Sequence, residues 1–571
     1  MRPSSAGTAD GAAPAARAFA DAPLFAGVPA DAVAALASTA RLTHLRAREW
    51  LFREGDRPDE LFVIASGRLR VVASAGGQER VLRVVGAGAL LGELGVLTRS
   101  QRSASVQAIR DSTVAAVDAE RFLTAVESNS EVAAAIAVSL ARLLQESGGL
   151  LPPAAPQALF GLVPLEPTPQ AESLCESLRR AFAPLGSVGT IDDAQTSDRA
   201  DYARIVDAAE ATHEYVLLTA GAGSNREWQE FVARQSDRTL VVAEARTRPA
   251  EPVPPHLQGA DVVFAGAPDA ATIGRFLDAF GSPRHHIVPA GDDGAAARVV
   301  RRLTRRSLGV VLSGGGARGF AHIGALEALA QAGFAIDRVG GCSIGSFIGA
   351  MAARGWGADR IVAVCEAELV RRAPFGDYRL PRVSLTRGSR AAAMLRRVFG
   401  DLHVEELSRP YFAVSADLIG SELVVHRRGR LFDAVGASMS IPGVAPPLPL
   451  GSRLLVDGGV LNNLPVDLMA ESDEGAIVAI DVIRRMEGGG TAAQMRVLSI
   501  MEILSRATVL ASVERAERNR KLAALTIAPE VQSIALGEFS QLRRAAELGR
   551  RAAEDALASG GADKLRAALS L

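Results

Sequence analysis

The sequence predicts a multi-domain fold: an N-terminal β-roll with flanking helices, a middle α/β domain and a C-terminal α/β domain. Three observations predict it. From Leu42 to Asp118, short apolar runs alternate with glycine turns at Gly55, Gly67, Gly76-Gly77, Gly86 and Gly88, the spacing of a small all-β domain. Over residues 157–295, apolar runs alternate with helix-like segments, as in a parallel sheet covered by helices. Beyond residue 305, three apolar runs each end in a glycine-bearing turn.

Composition sets the outer bounds. A chain of 571 residues is long enough for several cores. A net charge of −1 and a pI near 6.8 argue against general nucleic-acid binding. Cys175, Cys342 and Cys365 show neither a disulfide framework nor metal-ligand spacing, so no metal site is expected. Residues 1–21 are rich in Ala, Ser, Gly and Pro, lack the apolar core of a signal peptide, and read as disordered. No apolar run approaches the roughly 18 residues of a membrane span. The expectation is a cytoplasmic protein, peripheral to the inner membrane at most.

The β-roll, with helical runs at Ala30 to Ala37 and Ala119 to Leu144, occupies 22–148. Inside it, Gly92-Glu93-Leu94 precedes Arg102-Ser103-Ala104. An arginine and a hydroxyl beside free N–H groups suit a cyclic phosphate, and a glutamate nine residues earlier suits a ribose hydroxyl. Taken singly, Glu93 reads as a turn cap and Arg102 as a surface charge. As a set they resemble the phosphate-binding cassette of cyclic-nucleotide-binding domains. The resemblance implies that Glu93 meets the ribose 2′-hydroxyl and that Arg102 and Ser103 meet the phosphate. Gly92, Leu94 and Ala104 complete the cassette, and the ligand is cAMP or cGMP acting allosterically. A transcription factor of that type would continue into a helix-turn-helix. Here 149–156, with Pro152, Pro153 and Pro156, reads as a stiff linker, so nucleic acid is not an expected partner.

In 157–295, the runs Ala158 to Val163, Tyr215 to Leu218, Thr239 to Ala243 and Asp261 to Ala265 read as strands. The turn after Val163 lacks G-x-x-x-x-G-K-[ST], so no nucleoside triphosphate site is expected. This region reads as a scaffold.

Region 296–560 carries the chemistry. Gly314, Gly315, Gly316, Ala317, Arg318 and Gly319 follow the apolar run Leu308 to Leu312. A glycine-rich loop entering a helix offers backbone N–H groups to negative charge. Gly341-Cys342-Ser343-Ile344-Gly345 is a G-x-S-x-G, which puts a serine on a sharp strand-to-helix turn. Asp457-Gly458-Gly459 closes the run Arg453 to Val456. Each alone has a bland reading as a small-residue turn. The first loop also fits a dinucleotide fingerprint, which wants an acid closing the next strand about 20 residues on. Asp337 instead precedes that strand's apolar run, and the run leads straight into Ser343. Together the three supply a nucleophile, an oxyanion hole and a proton acceptor, the equipment of acyl transfer.

With Ser440-Ile441-Pro442-Gly443 and Val456 to Pro465, these residues resemble the patatin-like phospholipases. Trp228, Arg234-Gln235-Ser236-Asp237 and the three-part order resemble neuropathy target esterase and its bacterial relatives. The resemblance implies a patatin-like α/β hydrolase with a Ser–Asp dyad, Ser343 as nucleophile and Asp457 as base. The oxyanion hole is then Gly314 to Gly319, Gly341 and Gly345 shape the elbow, and catalysis needs no cofactor. It implies a phospholipid or lysophospholipid substrate met at a transient membrane surface. The rival reading is a nucleotide-responsive scaffold or docking protein with an inactive hydrolase fold.

His322 reads as packed and hydrogen-bonded, Cys342 as packed, and Asn462 and Asn463 as braces of the Asp457 turn. Arg318 fixes the glycine loop or meets a phosphate. The basic run Arg298 to Arg306 reads as a solvated helix face, with anionic head groups as the functional alternative. Arg543-Arg544 and Arg550-Arg551 lie on an amphipathic helix covering the core, and 561–571 reads as a tail.

Overall fold

The computed structural model describes residues 33–34, 38–75, 78–129, 133, 159–166, 168–195, 202–221, 224, 226–282, 284–378, 380, 383–483, 503–504 and 510–570. Segment 1–21, the linker 149–156, the Gly76-Gly77 turn and most of the two helical runs beside the β-roll lie outside these residues. By compactness the chain divides into two units, one of 1–168, 185–241 and 253–261, the other of 169–184, 242–252 and 262–571.

The N-terminal strands are β1 (Arg41–Leu45), β2 (Trp50–Phe52), β3 (Glu60–Ser66), β4 (Arg68–Ala75), β5 (Gln78–Gly86), β6 (Leu90–Leu91), β7 (Ser105–Ala108) and β8 (Ser112–Asp118). They form two antiparallel four-stranded sheets, β1-β8-β3-β6 and β2-β7-β4-β5. Alternation along β3 feeds two cores. Leu61 and Val63 join Val117 and Phe122, while Phe62 and Ile64 join Leu69 and Val106. The helix Ala119–Ser128 starts at Asp118, whose carboxylate accepts the Glu120 and Arg121 N–H groups.

The middle strands are β9 (Leu159–Pro164), β10 (Val188–Asp192), β11 (Tyr215–Thr219), β12 (Arg238–Glu244), β13 (Asp261–Ala265) and β14 (His285–Val288), in the sheet order β10-β11-β9-β12-β13-β14. The four expected strands are the inner ones. The two that sequence reasoning missed are the edges: β10 alternates buried and half-exposed residues, and β14 is only four residues long and opens with His285 and His286, so neither shows a continuous apolar run.

The Trp228 stretch has a structural use. Trp228 is fully buried, donates its indole N–H to Thr219 O at 2.9 Å and stacks on Phe231. Asp237 accepts from Leu159 N–H and pairs with Arg68 of β4, and Arg234 pairs with Asp111. Arg110 adds a bidentate pair to Glu210 at 2.9 and 3.2 Å. The stretch therefore seats the β-roll on the middle segment.

The C-terminal sheet contains β15 (Leu308–Leu312), β16 (Ile336–Cys342), β17 (Tyr411–Asp417), β18 (Glu422–His426), β19 (Leu448–Leu450), β20 (Arg453–Asp457), β21 (Ile477–Ile480) and β22 (Leu525–Ile527). Its order is β19-β20-β17-β16-β15-β21-β22, with β18 pairing β17. Val310 and Leu312 enter one core and Val311 the other, so β15 is buried on both faces, as a central parallel strand must be.

Two expectations are corrected here. Residues 561–571 are not a loose tail: Ala562–Leu569 is a helix with Leu565 and Leu569 buried in the main core. The run Arg298 to Arg306 is not a fully solvated face. Arg301 pairs with Asp337, Arg302 with Glu474 and Arg305 with Asp473. The helix Leu542–Ala556 covers the core as expected, with Leu542, Ala545 and Ala553 buried in it, and keeps Arg550 and Arg551 in pairs with Glu547 and Glu554. It meets the helix Ala321–Gln331 where a Cβ on Gly549 would lie 1.8 Å from Ala321 O, a crossing only glycine permits.

Candidate active site

Ser343 stands at the carboxyl end of β16, where the chain turns into the helix Ile344–Ala353. Its φ of 53° and ψ of −127° are strained for a side chain bearing a Cβ, at a cost of about 1–3 kcal/mol. Packing enforces the turn. A Cβ on Gly345 would lie 2.4 Å from Leu312 O, and one on Gly341 2.6 Å from the Gly345 carbonyl. The Ser343 N–H donates to Ser438 Oγ at 2.9 Å, and its carbonyl takes the Ser346 hydroxyl at 2.6 Å. Ser438 was not foreseen, because nothing in sequence links it to a strand end 95 residues away.

Asp457 ends β20, which pairs with β17 so that Asp457 faces Ser415, while Val414 faces Cys342. Register thus delivers the carboxylate beside the serine. Asp457 accepts hydrogen bonds from Gly459 N–H at 2.8 Å and from Cys342 Sγ at 3.5 Å, and the Ser343 hydroxyl is near enough to favour its anion. It is 3 % exposed. Burial pushes its pKa up to about 6, against those three donors, which favour the anion. A carboxylate poised there is ionised at neutral pH yet basic enough to take a proton. Cys342 is buried beside it, and burial together with Asp457 raises its thiol pKa well above the usual range.

The glycine loop divides its labour in a way the motif alone does not reveal. Gly314 N–H is taken by Asn463 O at 3.3 Å, Ala317 N–H by Leu536 O at 2.8 Å, and Arg318 N–H by Gly315 O at 3.2 Å. Among the described residues, nothing takes the Gly315 and Gly316 amides, and both residues line the cleft with Ser343. Gly319 serves packing, since a Cβ there would meet Ile344 at 2.3 Å. Arg318 donates to Ile534 O at 2.7 Å and Gln532 O at 3.2 Å, so it fixes the loop. Asn463 braces the loop as well, through Gly314 O at 3.4 Å, and Asn462 turns away to Asp467 at 2.9 Å. His322 is fully buried, with Nε2 on Ser313 O at 2.8 Å and its pKa lowered to about 4 by burial. It holds the strand end before the loop.

The cleft at Ser343 has a volume of about 690 Å³. Leu369, Val370, Phe375, Ile441, Val444 and Phe539 give it apolar walls. Tyr378, which lines it, is 65 % exposed, and Leu380, two residues further on, is 91 % exposed. Among the described residues, no group of three His, Cys, Asp or Glu side chains is placed to hold a metal ion.

In the β-roll, Gly92 (φ 84°) begins the short helix Glu93–Thr98. Arg102 folds beneath it, 4 % exposed, donating to Gly92 O at 2.8 Å and to Glu60 O, with its guanidinium over Phe52. Glu93 is buried and close enough to favour the Arg102 cation, along with Asp59, Asp56 and Glu60, though desolvation outweighs them and lowers its pKa. Ser103 is exposed and Ala104 half-buried, while Leu94 faces solvent. The structure therefore brings Gly92, Glu93 and Arg102 together.

Comparison with known proteins agrees with this division. The chain matches the family model "Patatin-like phospholipase" over residues 310–470 and "Cyclic nucleotide-binding domain" over 42–129. An uncharacterised NTE family protein of Mycobacterium bovis is 34 % identical over 568 residues, covering 94 % of this chain and 95 % of its own length. The lysophospholipase NTE1 of Cryptococcus neoformans is 28 % identical over 90 % of this chain and 38 % of its own length. Among solved structures, the catabolite activator protein of Thermus thermophilus is 34 % identical over 22 % of this chain and 60 % of its own, with a TM-score of 0.21. On the near full-length match to the mycobacterial protein, with both domains in order, this chain belongs to the NTE family of patatin-like phospholipases.

Proposed function

We propose that the protein is a lipid acyl hydrolase acting on phospholipid or lysophospholipid through a Ser343–Asp457 dyad, and that cyclic nucleotide binding to the β-roll regulates it. The observation that carries the reading is Ser343, held at positive φ, close to a buried carboxylate and beside two uncommitted amides. Ser343 Oγ attacks the ester carbonyl as Asp457 takes its proton. The Gly315 and Gly316 amides receive the oxyanion, where one donor is worth about 3 kcal/mol. Asp457 returns the proton to the departing alcohol, leaving the acyl group on Ser343. Water, deprotonated by Asp457, then releases the fatty acid. The apolar cleft suits an acyl chain. Rapid labelling by a fluorophosphonate, lost in Ser343→Ala, tests the dyad. An unlabelled but folded protein would support the inactive-scaffold reading instead.

The pKa of Asp457 sets the acid limb. Only the ionised carboxylate accepts a proton, so kcat/KM on a water-soluble ester is level above about pH 7 and falls about tenfold per unit below pH 6. A limb centred near pH 4 would mean that Asp457 is not the base.

The exposed Tyr378 and Leu380 give the cleft a route to a lipid surface. Leu380→Asp lowers hydrolysis of vesicle lipid by about tenfold, given about 1.5–3 kcal/mol for burying such a side chain. Hydrolysis of the soluble ester stays within about twofold. Equal loss on both substrates would count against a lipid contact there.

A further inference from the structure

A second cavity, of about 410 Å³, opens at the amino ends of β16 and β17, the opposite edge of the sheet from Ser343. Arg338 and Phe412 line one side; His285 of β14 and Arg298 and Arg302 of the helix Asp293–Leu303 line another. Six arginines border it against two glutamates. Some of that charge is internally settled. Arg302 is bidentate with Glu474 at 2.7 and 3.2 Å, and Arg428 pairs with Asp278 at 2.8 Å. The other lining carboxylate, Glu405, already accepts the Gly429 N–H at 2.8 Å.

Three guanidinium groups keep unused capacity. Arg298 makes no hydrogen bond or ion pair among the described residues, and burial lowers its pKa. Arg338 is 3 % exposed; its terminal nitrogens are spent on Ser472 and on the carbonyls of Ser307, Gly475 and Ala476, but its Nε–H has no hydrogen-bond partner. Arg427 gives one hydrogen bond, to Leu468 O, and comes no nearer than 3.8 Å to the exposed Glu471. Glu474 lies 3.9 Å from Arg338 Nε but is held bidentate by Arg302, and Arg427 is about half exposed, so positive charge exceeds carboxylate charge along the lining. An anion with several acceptor oxygens balances that excess, and guanidinium forks match phosphate geometry.

We propose that this cavity binds a phosphate group, as inorganic phosphate or a small phosphomonoester, held by Arg298, Arg338 and Arg427. Its volume suits a small molecule, and Leu277, Leu468 and Met469 provide apolar surface for an organic remainder. The ligand bridges the helix Asp293–Leu303 and the sheet edge at a distance from the dyad, so it acts as an effector site. The proposal does not depend on the hydrolase reading.

Calorimetry on the full chain at fixed ionic strength tests it, with inorganic phosphate and glycerol 3-phosphate as probes and chloride as the balancing ion. Saturable binding is expected, weakened about tenfold or more by Arg298→Gln and by Arg427→Gln. Arg102→Ala, which disables the other arginine-bearing phosphate cassette, leaves it within about twofold. Tighter binding of glycerol 3-phosphate marks a phosphomonoester as the ligand; equal affinity marks free phosphate. Thermal unfolding without phosphate confirms that each variant folds, and Arg298→Lys, which keeps charge but loses the fork, gives an intermediate affinity. No saturable heat, or heat that survives both cavity variants and disappears in Arg102→Ala, overturns the proposal.

Discussion

Asp457→Asn lowers kcat by about 10²- to 10⁴-fold, the usual worth of a general base, while the protein stays folded. The amide can still present its oxygen to Gly459 N–H, now at 2.8 Å from Oδ1, which then points an NH2 donor at Ser343 in place of an acceptor. Ser343→Ala removes the nucleophile and reduces acyl transfer to background. It keeps the backbone bond from residue 343 to Ser438 Oγ, so melting temperature is a fair control. The two residues act as one unit, and the double variant is no worse than the more damaging single one. Retention of more than about a tenth of kcat by Asp457→Asn would falsify the base assignment.

Arg102→Ala weakens cyclic nucleotide binding by about 10- to 150-fold, the equivalent of about 1.5–3 kcal/mol for a hydrogen bond to a charged group. The structure adds a complication that the motif did not. Arg102 also ties Gly92 O to Glu60 O beneath Phe52, so its loss removes packing along with a phosphate contact. Ser103→Ala separates the two effects, because Ser103 is exposed and its loss tests phosphate binding alone, at a smaller cost. Binding is not yet regulation; the nucleotide must favour one of two states. If it does, saturating ligand changes kcat or KM by roughly 5- to 150-fold, the usual range of allosteric coupling. The Arg110–Glu210 and Arg68–Asp237 pairs are among the contacts through which the β-roll meets the middle segment, so Arg110→Ala is expected to reduce that change. Calorimetry with cAMP and cGMP comes first, then kinetics on vesicles. Tight binding with unchanged kinetics would remove the switch and leave the sensor.

The serine, the aspartate and the glycine loop were legible in the sequence because each is a local device. A strand that must turn sharply into a helix needs small residues at fixed offsets, and the offsets survive without any knowledge of the fold. The four inner strands of the middle sheet were legible for a similar reason: burial on both faces demands an unbroken apolar run. Edge strands β10 and β14 escaped, since β10 is half-exposed and carries polar residues such as Thr190, and β14 offers only Ile287 and Val288 after His285 and His286.

What tertiary structure alone decided is what each candidate group is free to do. Six residues of the glycine loop looked equivalent, but Asn463 O and Leu536 O, 149 and 219 residues downstream of the amides they accept, take Gly314 and Ala317, while among the described residues nothing takes the Gly315 and Gly316 amides at the cleft. The arginines from Arg298 to Arg306 looked like a solvated face, but Asp337 and Glu474 turn Arg301 and Arg302 inward, and Arg305 pairs with Asp473. Asp457 could be named from its turn, but its raised pKa comes from complete burial. Residue type and spacing determine which groups are present and how the backbone locally holds them. Hydrogen-bond capacity, charge balance and desolvation depend on partners distant in the chain, and only the packed fold brings those partners within reach.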